Sequence, residues 1–319
     1  MPAQHRSKSK KIRSTRLISY FFLIITTITW GAALIIIKPA LDVTTPFRFL
    51  FYRYFLAVIL SLPLLIYFWP KIKQKRPVLK KIAGLELLGT TAALSLLYYG
   101  LDQTSAIEAS LITTSSPIFI SLLGVLLLKE KVEKRELWGF LITLLGAVVL
   151  TLLPIFHGTT QLNGISLTGN LLILAQNLAI GLYYVLAKIH YRQLPKLFVT
   201  TISFYIGLSS FFMLSLGEAG WSLPALFSQI TADFQAPVVW LASGYMALFG
   251  SIIGLTAYIK GQDGIEVSEA ALFTYLQPLI YLPLGVLFLQ EQLGVIQITA
   301  LAIILFGVVI SEKRGQKKR

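Results

Sequence analysis

The chain has 319 residues, 55% of them hydrophobic and 13% charged, with a net charge of +14 and a mean hydropathy of +0.74. A soluble domain carries about 25% charged residues, so the composition excludes a chain that keeps most of its surface in water. The lack of cysteine excludes a disulfide framework, a thiolate nucleophile and a Cys-based metal site. The basic residues stand in short clusters between apolar runs, which is the pattern of a membrane protein and not a nucleic-acid footprint.

Ten apolar runs are long enough to cross a hydrocarbon core as helices. In chain order they cover 17–37, 47–68, 82–100, 105–128, 137–155, 167–187, 197–217, 238–259, 267–289 and 294–310. The first follows a basic segment (Arg6, Lys8, Lys10, Lys11, Arg13 and Arg16) that looks like a signal-peptide n-region. Its apolar stretch is too long for one, however, and no small-x-small cleavage site follows, so it is expected to stay. Two connections, 157–166 and 218–237, are rich in Gly, Ser, Thr, Asn and Pro, and the second has room for a short surface helix.

Counting helices from a cytoplasmic N-terminus puts the clusters at 6–16, 71–81, 129–135, 188–196, Lys260 and 313–319 on one side. Of the 28 Lys and Arg, only Lys38, Arg48 and Arg53 fall elsewhere. Lys and Arg resist translocation, so the expected orientation has both termini in the cytoplasm, in the plasma membrane. The basic tails are read as topology signals that touch anionic lipid; nucleic acid is not an expected partner, and a homodimer is left open.

The chain repeats itself. A shift of 161 positions lays Gly89 on Gly250, Gly100 on Gly261, Asp102 on Asp263, Glu108 on Glu269 and Pro117 on Pro278. The same shift lays Gly124 on Gly285, Glu130 on Glu291 and Gly146 on Gly307. A weaker match at 150 lays Gly31 on Gly181 and Lys38 on Lys188. The expected organisation is a tail (1–16), a five-helix repeat (17–156), a connecting loop (157–166), a second five-helix repeat (167–311) and a basic tail (312–319). Five is odd, so tandem copies must lie in opposite orientations. Inverted repeats suit alternating access around a midplane site.

Ionisable groups inside a membrane are costly, about 2.5–3.5 kcal/mol at the centre on insertion scales, and are functional suspects. Arg53, two turns into the second helix, either holds an anionic substrate group or a gate carboxylate, or snorkels to the interface. Lys38, before Pro39, ends the first helix as an interfacial anchor. Glu108 and Glu269 begin the fourth and ninth helices. They either favour the helix N-terminus or couple a proton or cation. Asp102 and Asp263 are read as turn caps, and Glu130 and Glu291 as pairing in their loops and capping the next helix. Pro117 and Pro278 should kink their helices and free carbonyls near mid-membrane. Trp30, Tyr98, Tyr99, Gln176, Asn177, Tyr183, Tyr258, Tyr275 and Gln277 complete the set of cavity candidates, with helix–helix bonding or an interfacial belt as the other reading. There is no G-x-x-x-x-G-K-[ST] loop and no H-E-x-x-H motif. His5, His157 and His190 are scattered. Neither an ATP motor, a metal site, a bound cofactor nor an enzyme active site is expected.

An ordered set of residues carries a family resemblance. It comprises Thr29-Trp30-Gly31 leading to Lys38, Pro46 followed by Arg53 ahead of Leu56-Ala57, and Ala109-Ser110-Leu111 followed by Pro117 and Glu130. The second half carries Pro278, Glu291 and Gly307-Val308-Val309. From about 17 to 310 the chain resembles the EamA-type transporters of the drug/metabolite transporter superfamily. The resemblance implies an all-α integral membrane fold: ten transmembrane helices as two inverted five-helix repeats around a central cavity. It also implies a secondary carrier, often an exporter of amino acids, metabolites or drugs. Within that family helices 5 and 10 are peripheral. Relatives that carry sugars, phosphates or lipid-linked groups keep a flippase open, and a non-transporting scaffold or sensor is the third reading.

Overall fold

A computed structural model describes residues 2–71, 75–128, 134–157, 161–162, 164–191, 194–262 and 273–312. Helix dominates because backbone N–H and C=O groups facing hydrocarbon must be paired within their own segment. The first half contains α1 (Pro2–Gly31), α2 (Ala33–Leu41), α3 (Pro46–Phe68), α4 (Lys75–Glu86), α5 (Ala93–Gln103), α6 (Ala106–Thr113), α7 (Ser116–Leu128), α8 (Lys134–Thr151) and the short α9 (Leu153–Phe156). The second contains α10 (Leu167–His190), α11 (Lys196–Glu218), α12 (Leu223–Asp233), α13 (Pro237–Tyr245), α14 (Gly254–Gln262), α15 (Pro278–Phe288) and α16 (Val295–Glu312).

Among the described residues seven helical stretches are long and apolar enough to cross a membrane: Arg16–Leu41, Pro46–Lys71, Pro77–Gln103, Ala106–Leu127, Leu167–Ala187, Leu197–Glu218 and Pro237–Tyr258. Three of the ten expected runs are represented by shorter apolar helices, Leu137–Thr151, Thr274–Phe288 and Val295–Ile310. The fifth run stops at Thr151, and after a turn at Leu152 a four-residue helix restarts with Pro154 in its first turn, where the missing N–H leaves no intrahelical bond unmade. Of the ninth run, positions 267–272 lie outside the described residues, as do Glu130, Asp263 and Glu269.

Several helices are interrupted. The first breaks at Ala32 and then runs through Lys38 and Pro39 to Leu41, so Lys38 lies inside it and does not end it. The run at 105–128 is two helices, with turn residues at Thr114 and Ser115 just ahead of Pro117. Pro278 is the first residue of α15, after a 3-10 turn at Thr274–Leu276. Two π-helical segments, Leu87–Ala92 and Met246–Ile253, join α4 to α5 and α13 to α14. Within the 157–166 connection Gln161–Leu162 pairs antiparallel with Ile165–Ser166, and Gly164 between them has φ +81°. The 218–237 connection holds the surface helix α12, whose N-cap Ser222 accepts from Ala225 N–H.

The packing interleaves the two halves. α3 lies along α11 and α8 along α16, α10 fits between α5 and α7, and α1 packs against α14 and α15. Small residues set the closest crossings. A Cβ on Gly307 of α16 would stand 2.7 Å from Thr143 N and 2.8 Å from Gly139 O of α8. A Cβ on Gly146 of α8 would stand 2.7 Å from Ile304 Cγ1 and 3.1 Å from Ala300 O of α16. Gly307→Leu therefore drives into backbone, which cannot swing aside. It is expected to lower stability by about 3 kcal/mol, read as an earlier thermal melt in detergent.

Hydrogen bonds sort the connections into two ends. At one end the turn 42–45, the junction 104–105, the 219–236 segment and the turn 289–294 meet. Thr44 reaches Asp233, Thr45 reaches Glu218, and Glu291 reaches the start of α6. At the opposite end Ile82, Phe198, Val199 and Ile202 form an apolar cluster with Phe68, Tyr191 and Leu194. Val78 and Leu79 of α4 also pack against it, next to Lys80 and Lys81 in the chain.

Candidate functional site

The π segment Met246–Ile253 is the hub of the site. A π turn shifts the helix register by one residue and leaves carbonyls free of their usual partners, which is why such turns gather at functional sites. Trp30 of α1 uses one of them: its indole N–H donates to Gly250 O at 2.9 Å, and its ring lies 5.2 Å from the Tyr258 ring. On the next residue, Ser251 Oγ accepts from Arg53 Nε at 3.3 Å and Nη2 at 3.2 Å. Arg53 Nη1 donates to Tyr98 Oη at 2.8 Å, and Tyr54 offers its ring face 5.4 Å from the guanidinium carbon. Tyr98 is fully buried and its ring packs on Phe49. Arg53 itself is only partly buried.

Every group that holds Arg53 is neutral. Among the described residues no carboxylate pairs with this membrane-depth guanidinium, whereas Arg48 on the same helix is paired with Asp233. Its five donors are met by two hydroxyls, which leaves directions open for an anionic acceptor. The structure thus brings Trp30, Arg53, Tyr98 and Tyr258 together around one π turn contributed by the second half.

The other sequence candidates stand apart from this hub. Tyr99 donates its hydroxyl to Glu218 and lines a cleft of about 320 Å³ at the end of the bundle, beside Asp42, Arg48 and Asp102. Gln176 is buried on α10, and its Oε1 has no hydrogen-bond partner among the described residues. Asn177 holds the α6–α7 break: its amide donates to Ile112 O at 2.9 Å and Ser115 Oγ at 3.0 Å, and its oxygen accepts from Ser116. Tyr183 donates to Glu86 at 2.9 Å. Tyr275 packs beside Ile118, Phe140 and Val308, and Gln277 O caps the start of α15.

Glu108 is fully buried. It accepts from Asn170 Nδ2 at 3.3 Å and Gln297 Nε2 at 2.8 Å, while its own N–H is capped by Ser105. Glu291 does not cap the helix that follows it. Its two oxygens accept from Ala106 N at 2.6 Å and Ile107 N at 2.7 Å, the orphan donors at the start of α6. Lys38 works on the other side of the same junction, donating to Leu101 O and Asp102 O, each at 2.8 Å, at the C-terminus of α5. One cation and one anion thus complement the dipole ends of α5 and α6 where they meet. Glu291→Ala is expected to cost about 1–2 kcal/mol, the range for losing a charged cap, measured as a lower melting temperature.

Two sites escaped the sequence reading. Asp233 accepts from Arg48 Nε at 2.7 Å, Tyr52 at 2.7 Å and Thr44 at 2.5 Å, and so ties α12 to α3. Glu86 is buried among hydroxyls. Its signal was present, because it stands one turn inside the run 82–100.

Residues 17–152 and 167–312 each match the EamA-like transporter family. Among curated proteins the chain is similar to "Uncharacterized transporter YyaM" of Bacillus subtilis, at 27% identity over 91% of this chain and 92% of that one. It is 26% identical to "Uncharacterized transporter YetK" of the same species, a match spanning 67% of this chain and 62% of that protein. A WAT1-related chloroplastic protein of Arabidopsis thaliana is 26% identical over 93% of this chain and 68% of its own length. One solved crystal structure superposes with a TM-score of 0.58 at 17% identity, covering 96% of this chain and 99% of the other. That likeness is one of fold alone.

Proposed function

The chain belongs to the EamA-like transporter family, and from that premise we propose that it is a secondary carrier for a small organic solute bearing an anionic group. Amino acids and metabolite carboxylates are the substrate class, and export by alternating access is the mode. The observation that carries this reading is Arg53. An intramembrane guanidinium is expensive to keep without a counter-charge. One held only by Tyr98 and Ser251 is best explained by an anion that arrives and leaves. The Trp30–Tyr258 pair beside it supplies an apolar face for the rest of the solute.

Alternating access is supported by the way the halves interlock. At the offset of 161 the π segment Leu87–Ala92 corresponds to part of Met246–Ile253, and the Gly146 and Gly307 crossings correspond to each other. α10 between α5 and α7 corresponds to α1 between α14 and α15. In this proposal α8, α15 and α16 complete ten spans as two inverted sets of five. The end carrying Lys71, Lys80 and Lys81 faces the cytoplasm, by the bias of Lys and Arg. The plasma membrane is the proposed location.

The test is counterflow in proteoliposomes, with a panel of labelled amino acids, dicarboxylates and cationic drugs. Exchange of anionic or zwitterionic members is the expected outcome. Exchange of cationic drugs alone overturns the role given to Arg53. If folded protein exchanges no solute but scrambles fluorescent lipid, the carrier reading gives way to a flippase.

A further inference from the structure

Glu86 closes α4 immediately before the π segment, and it is 1% exposed. Its donors are all hydroxyls: Thr90 at 2.6 Å to Oε2, and Tyr183 at 2.9 Å and Tyr191 at 3.1 Å to Oε1. Ser203 of α11 also faces it. The remaining titratable groups around it are the tyrosines Tyr54 of α3 and Tyr184 of α10. No cation is paired with it among the described residues.

This chemistry differs from that of Glu108. The two amide nitrogens on Glu108, Asn170 Nδ2 and Gln297 Nε2, can only donate, and the oxygens of both amides already accept from the Thr104 hydroxyl and the Gly294 N–H. A proton added there would face a donor and lose a bond. A hydroxyl both donates and accepts, so the shell of Glu86 can satisfy a carboxylate and, after rotating one O–H, a carboxylic acid. No fixed positive charge locks the ionised form in place. A buried carboxylate built this way is suited to change its protonation state.

The site is also placed to transmit that change. Tyr183 reaches Glu86 by crossing the backbone at Gly89: a Cβ there would stand 2.2 Å from the ring. Tyr183 lies near the far end of α10 and Tyr191 directly follows that helix, so two of the three bonds to Glu86 clamp α4 to that end. Charge-assisted bonds are about twice as strong as neutral ones, so protonation weakens the clamp. The same strand of helix continues through the π segment to Tyr98, the partner of Arg53.

We propose that Glu86 is a proton-binding site whose occupancy releases the α4–α10 clamp. It takes one proton from water at the basic end of the bundle to become a neutral acid, and returns it to the same side or the other as the seam moves. Its use to drive transport rests on the carrier reading above; its protonation and the movement do not.

The chain has no cysteine, so introduced thiols can be labelled cleanly. Lys80→Cys and His190→Cys put spin labels at exposed positions on α4 and α10. The probe is the proton alone: interspin distance distributions are recorded in liposomes from pH 5 to pH 9, without solute. The expected result is two distance populations whose ratio titrates with pH, and a pH-independent, low-pH-like distribution in Glu86→Gln. No pH dependence in the parent pair, or an unchanged titration in Glu86→Gln, overturns the proposal. Should Glu86→Gln fail to fold, Tyr183→Phe decides: it removes one bond to the charged form and must displace the titration midpoint, and an undisplaced midpoint overturns the proposal. A titrating seam in protein that exchanges no solute would sink the carrier reading and leave the proton site standing.

Discussion

Arg53→Ala is expected to raise the solute concentration for half-maximal exchange by about 30- to 150-fold, with little change in melting temperature. The loss corresponds to about 2–3 kcal/mol, the range for hydrogen bonds from a charged donor. Stability is spared because the groups left behind, Tyr98 and Ser251, are neutral and no buried carboxylate is stranded. Arg53→Lys keeps the charge but not the planar fork, so it should fall between the two. The experiment pairs counterflow with a thermal melt of the same preparation. A melting temperature that collapses in Arg53→Ala would assign the residue to the fold, and unchanged exchange would remove it from the site.

Asp233→Ala is expected to do the opposite: a loss of about 3 kcal/mol in stability, well beyond what any surface pair contributes. Asp233 is 4% exposed and accepts from three residues, so its removal strands the Arg48 guanidinium and the Tyr52 and Thr44 hydroxyls together. The double variant Arg48→Met, Asp233→Leu should recover much of that loss, because it removes the charges as a pair and fills the space with apolar atoms. Thermal melts of the single and double variants measure this. A single variant as stable as the parent would mean that α12 rests on the bundle without being tied to it.

The two arginines of α3 show where sequence reading stops. Arg48 and Arg53 stand five residues apart in the same apolar run. Their order along the run places Arg48 nearer its start and says nothing about their partners. What separates them is a carboxylate that comes from 185 residues away for Arg48, and does not come for Arg53. Asn177 is similar. A polar residue in an apolar helix is legible as a suspect, yet its three bonds to the α6–α7 break depend on α10 lying against α7. Glu291 was legible as a cap, but the helix it caps, α6, is distant in sequence. Glu86 was overlooked because position in a run says little about burial near its end, where snorkelling and solvation are both available.

By itself the sequence determined that this chain is a membrane protein of many apolar helices, because hydrocarbon length and the cost of charge act locally and are written in consecutive residues. It also determined the internal match at 161, because Gly, Pro and Glu are rare enough in apolar runs for their spacing to survive as a signal. Only the tertiary structure decided which ionisable groups are neutralised and which stand without a counter-charge. That distinction is a matter of a few ångströms between helices of opposite halves, and no periodicity along one helix encodes the partner on another.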